Sequence, residues 1–270
     1  MHSKRVAVLT PLYRLPLLPE EEISLNHLRK FLGNYERVLI LPKKLKIPPH
    51  LFPDFKKERF NTQFFSGIES YNRLMLSDAF YRRFKDYEYI LIYQLDCLVF
   101  SNNLLSWCDK EWDYVGAPWF HGNRDDTSKG FSGVGNGGLS LRKVQSFRDV
   151  LNSKKLLLDP EVLALGNRRF QRIPLLGSGF RFLMKQAYRA GLKNNIRWYL
   201  KKFDQNEDSF WAYYASKFVD EFVIPTSEEA LKFSFECAPE FCLSTTDGVL
   251  PFGCHAWKKW DENFWKPYLL

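Results

Sequence analysis

No stretch of this sequence comes near the roughly 18 consecutive apolar residues that a membrane-spanning helix needs. The apolar run near the start, Val6-Ala7-Val8-Leu9, is too short for the core of a secretory signal, so a cytoplasmic protein is expected. Cysteine is sparse. The five residues Cys97, Cys108, Cys237, Cys242 and Cys254 are an odd number without a Cys-x-x-Cys pair, which argues against a zinc site and a disulfide framework. The loop after the first strand, Thr10-Pro11-Leu12-Tyr13, holds no glycine, so the phosphate-cradling loop of many nucleotide-binding enzymes is missing. Lysines and arginines give a formal charge of 39 − 31 = +8, but they are scattered rather than lined along one recognition helix. That distribution disfavours nucleic acid and leaves phosphorylated ligands and anionic surfaces open.

Aromatic residues, by contrast, make up 17% of the 270 positions, ample for a substantial core. The chain is organised around Tyr89-Ile90-Leu91-Ile92-Tyr93-Gln94-Leu95-Asp96-Cys97-Leu98-Val99-Phe100. A short run this apolar reads as a strand buried on both faces of a mostly parallel sheet. Its single carboxylate, Asp96, stands where the chain must turn at Ser101-Asn102-Asn103. It either caps that turn or, since open α/β sheets bind ligands at the carboxyl ends of their strands, holds a divalent cation and through it a phosphate.

Around this strand the spacing predicts strands over Arg5–Leu9, Arg37–Leu41 and Asn61–Phe65, with a helix over Glu20–Leu32 and a lysine- and proline-rich surface connection over Lys43–Lys57. A helix is expected over Tyr71–Phe84, with Leu74, Leu76, Phe80 and Phe84 facing the core. Beyond Asp96, a strand is expected within Trp112–Phe120, a mobile polar loop over His121–Ser132, a strand Leu139–Arg142 and a helix Lys143–Leu151. Two further helices are read over Phe180–Ala190 and Asn195–Phe203, and Arg168–Arg172 as a solvated basic cluster. This alternation is that of a nucleotide-binding α/β fold.

Three further stretches carry chemistry. The glycines of Gly133-Val134-Gly135-Asn136-Gly137-Gly138 either form a bulge or let the backbone approach a ligand. The adjacent carboxylates Glu207 and Asp208 open an amphipathic helix, either as dipole-compensating caps or with one of them as a general base. Neighbours on a helix diverge by about 100°, so only one can face a reaction centre. His255, in Gly253-Cys254-His255, is either a packed residue or a second metal or phosphate contact.

Taken in order, Thr10, the helix with Ser70-Tyr71-Asn72-Arg73, Gln94-Leu95-Asp96, Gly137-Gly138, Glu207-Asp208 and His255 resemble the GT-A fold of nucleotide-sugar glycosyltransferases, over about residues 6–260. The nearest likeness is to a poorly characterised group of domains in polysaccharide-assembly proteins. The family's metal motif is Asp-any-Asp, and here its first position is Gln94. The resemblance implies a single Rossmann-like GT-A domain over 1–270 with a mixed, mostly parallel sheet, its nucleotide-binding half at 1–105 and its acceptor-binding half at 106–270. It implies Mn²⁺ or Mg²⁺ on Asp96 and His255, and donor contacts from Thr10, Tyr13, Asn72, Arg73, Gln94, Gly137 and Gly138. Asp208 would be the base of an inverting transfer, with Glu207 binding hydroxyls or exchanging roles with it. The donor would be a UDP-hexose such as UDP-galactose, pyranose or furanose, and the acceptor a glycan, free or lipid-linked, in polysaccharide or glycoconjugate synthesis. A nucleotidyltransferase and a non-catalytic nucleotide- or carbohydrate-binding subunit are the alternatives. The C-terminal mixture of aromatics and lysines, Trp257–Leu270, either touches an anionic membrane periphery or packs on the domain.

Overall fold

A computed structural model describes residues 4–122, 126–160 and 177–270. Its framework is a six-stranded sheet. The strands β1 (Lys4–Pro11), β2 (Glu36–Pro42), β3 (Lys56–Phe60) and β4 (Tyr87–Tyr93) are mutually parallel where they pair. In space the order runs β3-β2-β1-β4 and continues through Leu139–Lys143 to Tyr114–Val115. The expectation of a mixed, mostly parallel α/β sheet flanked by helices holds. Ile90 and Ile92 of β4 enter one apolar layer, and Tyr89, Leu91 and Tyr93 the other, so the central strand is buried on both faces.

The long apolar run is not one strand. Strand β4 stops at Tyr93 and Gln94–Asp96 turns, closed by the Cys97 N–H donating to the Gln94 carbonyl at 3.0 Å. Leu98–Val99 is then a separate strand, β5, in a small second sheet with β10 (Ser234–Phe235) and β11 (Gly253–Cys254). Asp96 therefore sits in the turn at the carboxyl end of β4. The Trp112–Phe120 run also divides, into β6 (Tyr114–Val115) and β7 (Pro118–Phe120). Between them Gly116 lies so close to the Gly135 carbonyl that a Cβ would meet its oxygen at 1.7 Å. Phe131–Val134, in part expected to be loop, forms β8 against β7, and β9 spans Leu139–Lys143.

Two other expectations fail for local reasons. The third strand is the charged Lys56–Phe60, which begins at the end of the presumed connection, and not Asn61–Phe65. As an edge strand it keeps its charges in solvent, so no alternating apolar pattern marks it. Asn61 instead accepts the Gln63 N–H on its side chain and starts a helical turn, Thr62–Phe65. The helix foreseen over Tyr71–Phe84 is two, Ile68–Met75 and Asp78–Arg82, because the Ser77 hydroxyl accepts the Phe80 N–H and caps a new start. The amphipathic helix opened by Glu207 ends at Tyr213. The helices Pro19–Leu32, Val144–Leu151, Gly177–Arg189 and Ile196–Lys202 lie close to expectation. Arg168–Arg172 falls outside the described residues.

The C-terminal aromatics are committed to the domain. Trp257 and Trp265 are buried, and Trp265 stacks on Phe100 with ring centres 5.4 Å apart. No helix among the described residues is long and apolar enough to cross a membrane. Trp265→Ala should lower unfolding stability by about 3–5 kcal/mol in urea titrations. Partitioning of that variant onto anionic liposomes should match wild type, since the ring faces the core.

Candidate active site at the strand ends

Strand β9 runs antiparallel to β4 and pairs Leu139 with Tyr93, so its first residues meet the carboxyl end of β4. The Gln94 N–H continues the ladder by donating to the Gly138 carbonyl at 2.9 Å. Gly137 and Gly138 are thereby carried to the edge where Asp96 turns. On the other side of that edge, β11 and the left-handed turn after it deliver His255, whose N–H donates to the Phe235 carbonyl at 3.0 Å.

Neither glycine faces open space. A Cβ on Gly138 would sit 2.1 Å from His255 Nε2, and one on Gly137 would sit 2.5 Å from Glu207 Oε1. The missing side chains are filled by the imidazole and by the carboxylate, so these glycines seat site residues against the strand. The Asp208 carboxylate accepts the Gly137 N–H at 3.3 Å and its own neighbour's, Ser209, at 2.8 Å. Adjacent glycines thus hold Asp208 on one side and the His255–Asp96 pair on the other.

The two carboxylates of Glu207-Asp208 have different environments. Glu207 is buried and makes a bidentate ion pair with the fully buried Arg142, at 2.7 and 3.1 Å. The guanidinium also donates to the Tyr81 hydroxyl and Ser140 Oγ, both at 3.0 Å, and lies between the rings of Tyr114 and Phe147. Glu207 is consumed by this network, and the helix that it starts is tied to β9. Asp208 projects differently, and among the described residues no cationic side chain bonds its carboxylate oxygens. Burial, then the Glu207 charge, push its carboxyl up to about 6.

His255 Nε2 lies 3.4 Å from Asp96 Oδ1, and Nδ1 lies 3.4 Å from the buried Glu236 Oε1. Burial opposes charge on the ring, but Asp96 and then Glu236 outweigh it and push His255 up to about 10. Asn136 works the other way. Its amide oxygen accepts the Gly138 and Leu139 N–H groups, which turns its NH₂ toward Nδ1 at 3.0 Å. Two carboxylate charges dominate one amide dipole at these distances. For Asp96, burial raises the carboxyl while His255 more than compensates, leaving it below the ordinary range.

Asp96 Oδ1 is buried without a hydrogen-bond partner, facing Nε2. While the ring is protonated the two atoms form an ion pair; once that proton is displaced, one carboxylate oxygen and one imidazole nitrogen 3.4 Å apart are two donors of the kind a divalent cation accepts, its remaining ligands coming from elsewhere. Among the described residues, no group of three or more His, Cys, Asp or Glu side chains could hold a metal alone. The pair fits a cation shared with a ligand, not a closed metal site.

Of the other expected contacts, Gln94 is in this cluster. Asn72 joins its edge by donating to Asn206, the residue before Glu207, at 3.1 Å. Thr10 is fully buried with its hydroxyl unpartnered, Tyr13 is exposed beside Arg14, and Arg73 pairs with Glu69, so these three make their contacts elsewhere. Sequence reasoning missed Arg142, Asn136 and Glu236. Arg142 had a signal: Ser140 and Arg142 share one face of an otherwise apolar strand, and a buried arginine demands a carboxylate.

The family model described as a protein of unknown function (DUF5672) matches residues 54–255, from the edge strand to His255. The chain belongs to that family. Its members are thus defined over a span that includes every residue of this cluster. The comparison with curated proteins returned no match. Among solved structures, one similar chain is the galactosyltransferase LgtC in complex with donor and acceptor sugar analogues, at 12% identity and a TM-score of 0.47. The match covers 92% of this chain and 86% of that one. A second is an active-site mutant of LgtC, at 13% identity and a TM-score of 0.45, with the same coverage.

Arg142→Met should destabilise the fold by about 3–5 kcal/mol, because it strands a buried carboxylate, whereas Arg142→Met with Glu207→Leu should recover most of the loss. Chemical denaturation of the three proteins checks this. For Asp208, the folded carboxyl is raised from 3.8 to about 6, so the fold prefers its protonated form. Its charged form therefore costs stability as pH rises through that window, fully so above it. Asp208→Asn should be more stable than wild type by about 1–2 kcal/mol at pH 8 and equal to it near pH 3.5, read from melts at each pH.

Proposed function

We propose that the chain is a nucleotide-sugar-dependent glycosyltransferase of GT-A type. The observation that carries this reading is the pairing, across Gly137 and Gly138, of an ionisable base candidate with a cation-binding pair. Asp208 is raised toward neutrality at one glycine, and Asp96 with His255 stands at the next, all at the carboxyl edge of a mostly parallel sheet.

In this reading residues 1–105 hold the nucleotide and 106–270 the acceptor. Asp96 and His255 would hold Mn²⁺ or Mg²⁺. When bound, the cation would neutralise charge on the donor diphosphate and on the departing nucleotide. For the nucleotide, Gln94 lies on the same backbone ladder as Gly138 and Asn72 on the Asn206 side of the cluster, with the exposed Tyr13 as an outer candidate. Asp208 takes the proton of an acceptor hydroxyl as that oxygen bonds to the anomeric carbon and the carbon–phosphate-oxygen bond breaks. A single displacement of this kind inverts the anomeric centre. Glu207 does no proton transfer. Its pairing with Arg142 fixes the helix start that aims Asp208. The donor would be a UDP-hexose, with galactose the first sugar to try, and the acceptor a glycan, free or lipid-linked.

Calorimetric titration with UDP, GDP, CMP and dTDP, each with and without Mn²⁺, tests the reading. UDP should bind only with the cation, and Asp96→Ala should abolish that binding. In sugar-transfer assays Asp208→Asn should lower the rate about 10²–10⁴-fold while nucleotide affinity stays unchanged. No binding of any nucleotide would instead favour a non-catalytic carbohydrate-binding role.

A further inference from the structure

A cavity of about 220 Å³ opens beside Asp208. Trp119 of β7 and Tyr213 of the helix Glu207–Tyr213 form its wall, with ring centres 5.6 Å apart and planes tilted by 38°. Ser132, Asn206 and Ser209 contribute its polar lining.

The glycine run builds this wall. Gly133, Gly135 and Gly137 alternate along this run, and the place of each missing side chain is taken by a group from another element. A Cβ on Gly135 would lie 1.9 Å from the Trp119 ring, and one on Gly133 2.9 Å from the Tyr213 hydroxyl. The same run that seats Glu207 and His255 therefore seats two aromatic rings. Tyr213 remains 45% exposed and Trp119 half-buried.

An aromatic wall kept open beside a carboxylate selects its ligand. Among the described residues the cavity lining includes Asp208 and neither lysine nor arginine, so a phosphate or nucleotide is disfavoured there. A neutral polyol fits, its C–H face on the rings and its hydroxyls toward the polar rim. We propose that this cavity is the acceptor subsite and takes a neutral pyranoside stacked on Trp119 and Tyr213, with one hydroxyl at Asp208. The assignment rests on the glycosyltransferase reading for its role in turnover, though its occupancy can be read without turnover.

The test uses the full chain labelled with 5-fluorotryptophan, the Trp119 resonance being assigned from Trp119→Phe. Methyl β-D-galactopyranoside and methyl β-D-glucopyranoside are titrated in the presence of UDP and Mn²⁺, and UDP affinity is measured on the same samples. At least one pyranoside should shift the Trp119 resonance saturably. Trp119→Ala and, at the exposed ring, Tyr213→Ala should each weaken that pyranoside about three- to tenfold and leave UDP affinity unchanged. Nucleotide binding with no pyranoside response at Trp119, or a calorimetric pyranoside affinity that both variants leave intact, would overturn the subsite while the transferase reading stands. Pyranoside binding at Trp119 without any nucleotide binding would keep the subsite and remove the transferase reading.

Discussion

The buried Arg142–Glu207 pair is the constraint on which the site depends. Arg142 is held on a central strand between two aromatic rings, with every donor direction taken by Glu207, Tyr81, Ser140 or the Gly137 carbonyl. A guanidinium in such surroundings has no low-energy alternative, because removing its carboxylate leaves an uncompensated charge in a low-dielectric interior. The pair therefore welds the start of the Glu207–Tyr213 helix to β9. The next residue along, Asp208, inherits its position from that weld. It faces a different direction, onto Gly137 and the open cavity, which is why adjacent carboxylates have such different surroundings.

The glycine-rich segment is the second organising device, and its role is packing. Each absent Cβ is replaced by a group from another element: Tyr213 at Gly133, Trp119 at Gly135, Glu207 at Gly137 and His255 at Gly138. A run with four glycines among six residues lets four remote parts of the chain approach one short stretch of backbone. Asn136 within it takes a left-handed conformation (φ +78°), turns its amide back onto two backbone N–H groups and presents its NH₂ to His255. One edge of the sheet consequently carries two chemistries. Around Asp96 and His255 it suits a cation with an anionic ligand, and around Asp208, Trp119 and Tyr213 a neutral hydroxylated one.

Much of the framework was legible without coordinates. Strands β1, β2 and β9 and the helix Pro19–Leu32 follow from apolar runs and helical spacing, since burial on a sheet or helix face imposes a period on the sequence. Lys56–Phe60 escaped because an edge strand can be charged throughout. The Ser77 break escaped because a cap is a single local hydrogen bond that leaves the apolar period almost unchanged. Asp96, Asp208 and His255 could be singled out as chemically unusual residues in apolar or glycine-rich settings. Their partners could not, since Arg142, Asn136 and Glu236 lie 65, 119 and 19 positions from the residues they contact.

What the sequence determined by itself was the alternation of strand and helix, the buried central strand and the placing of carboxylates at element ends, all set by local period and propensity. The tertiary structure decided which carboxylate is bound up and which is left available. It also turned the glycines from a flexible approach to a ligand into a seat for four side chains, and brought Trp119 beside Tyr213. Those outcomes depend on long-range packing, where the energy of a buried charge or ring is set by neighbours that no local pattern names.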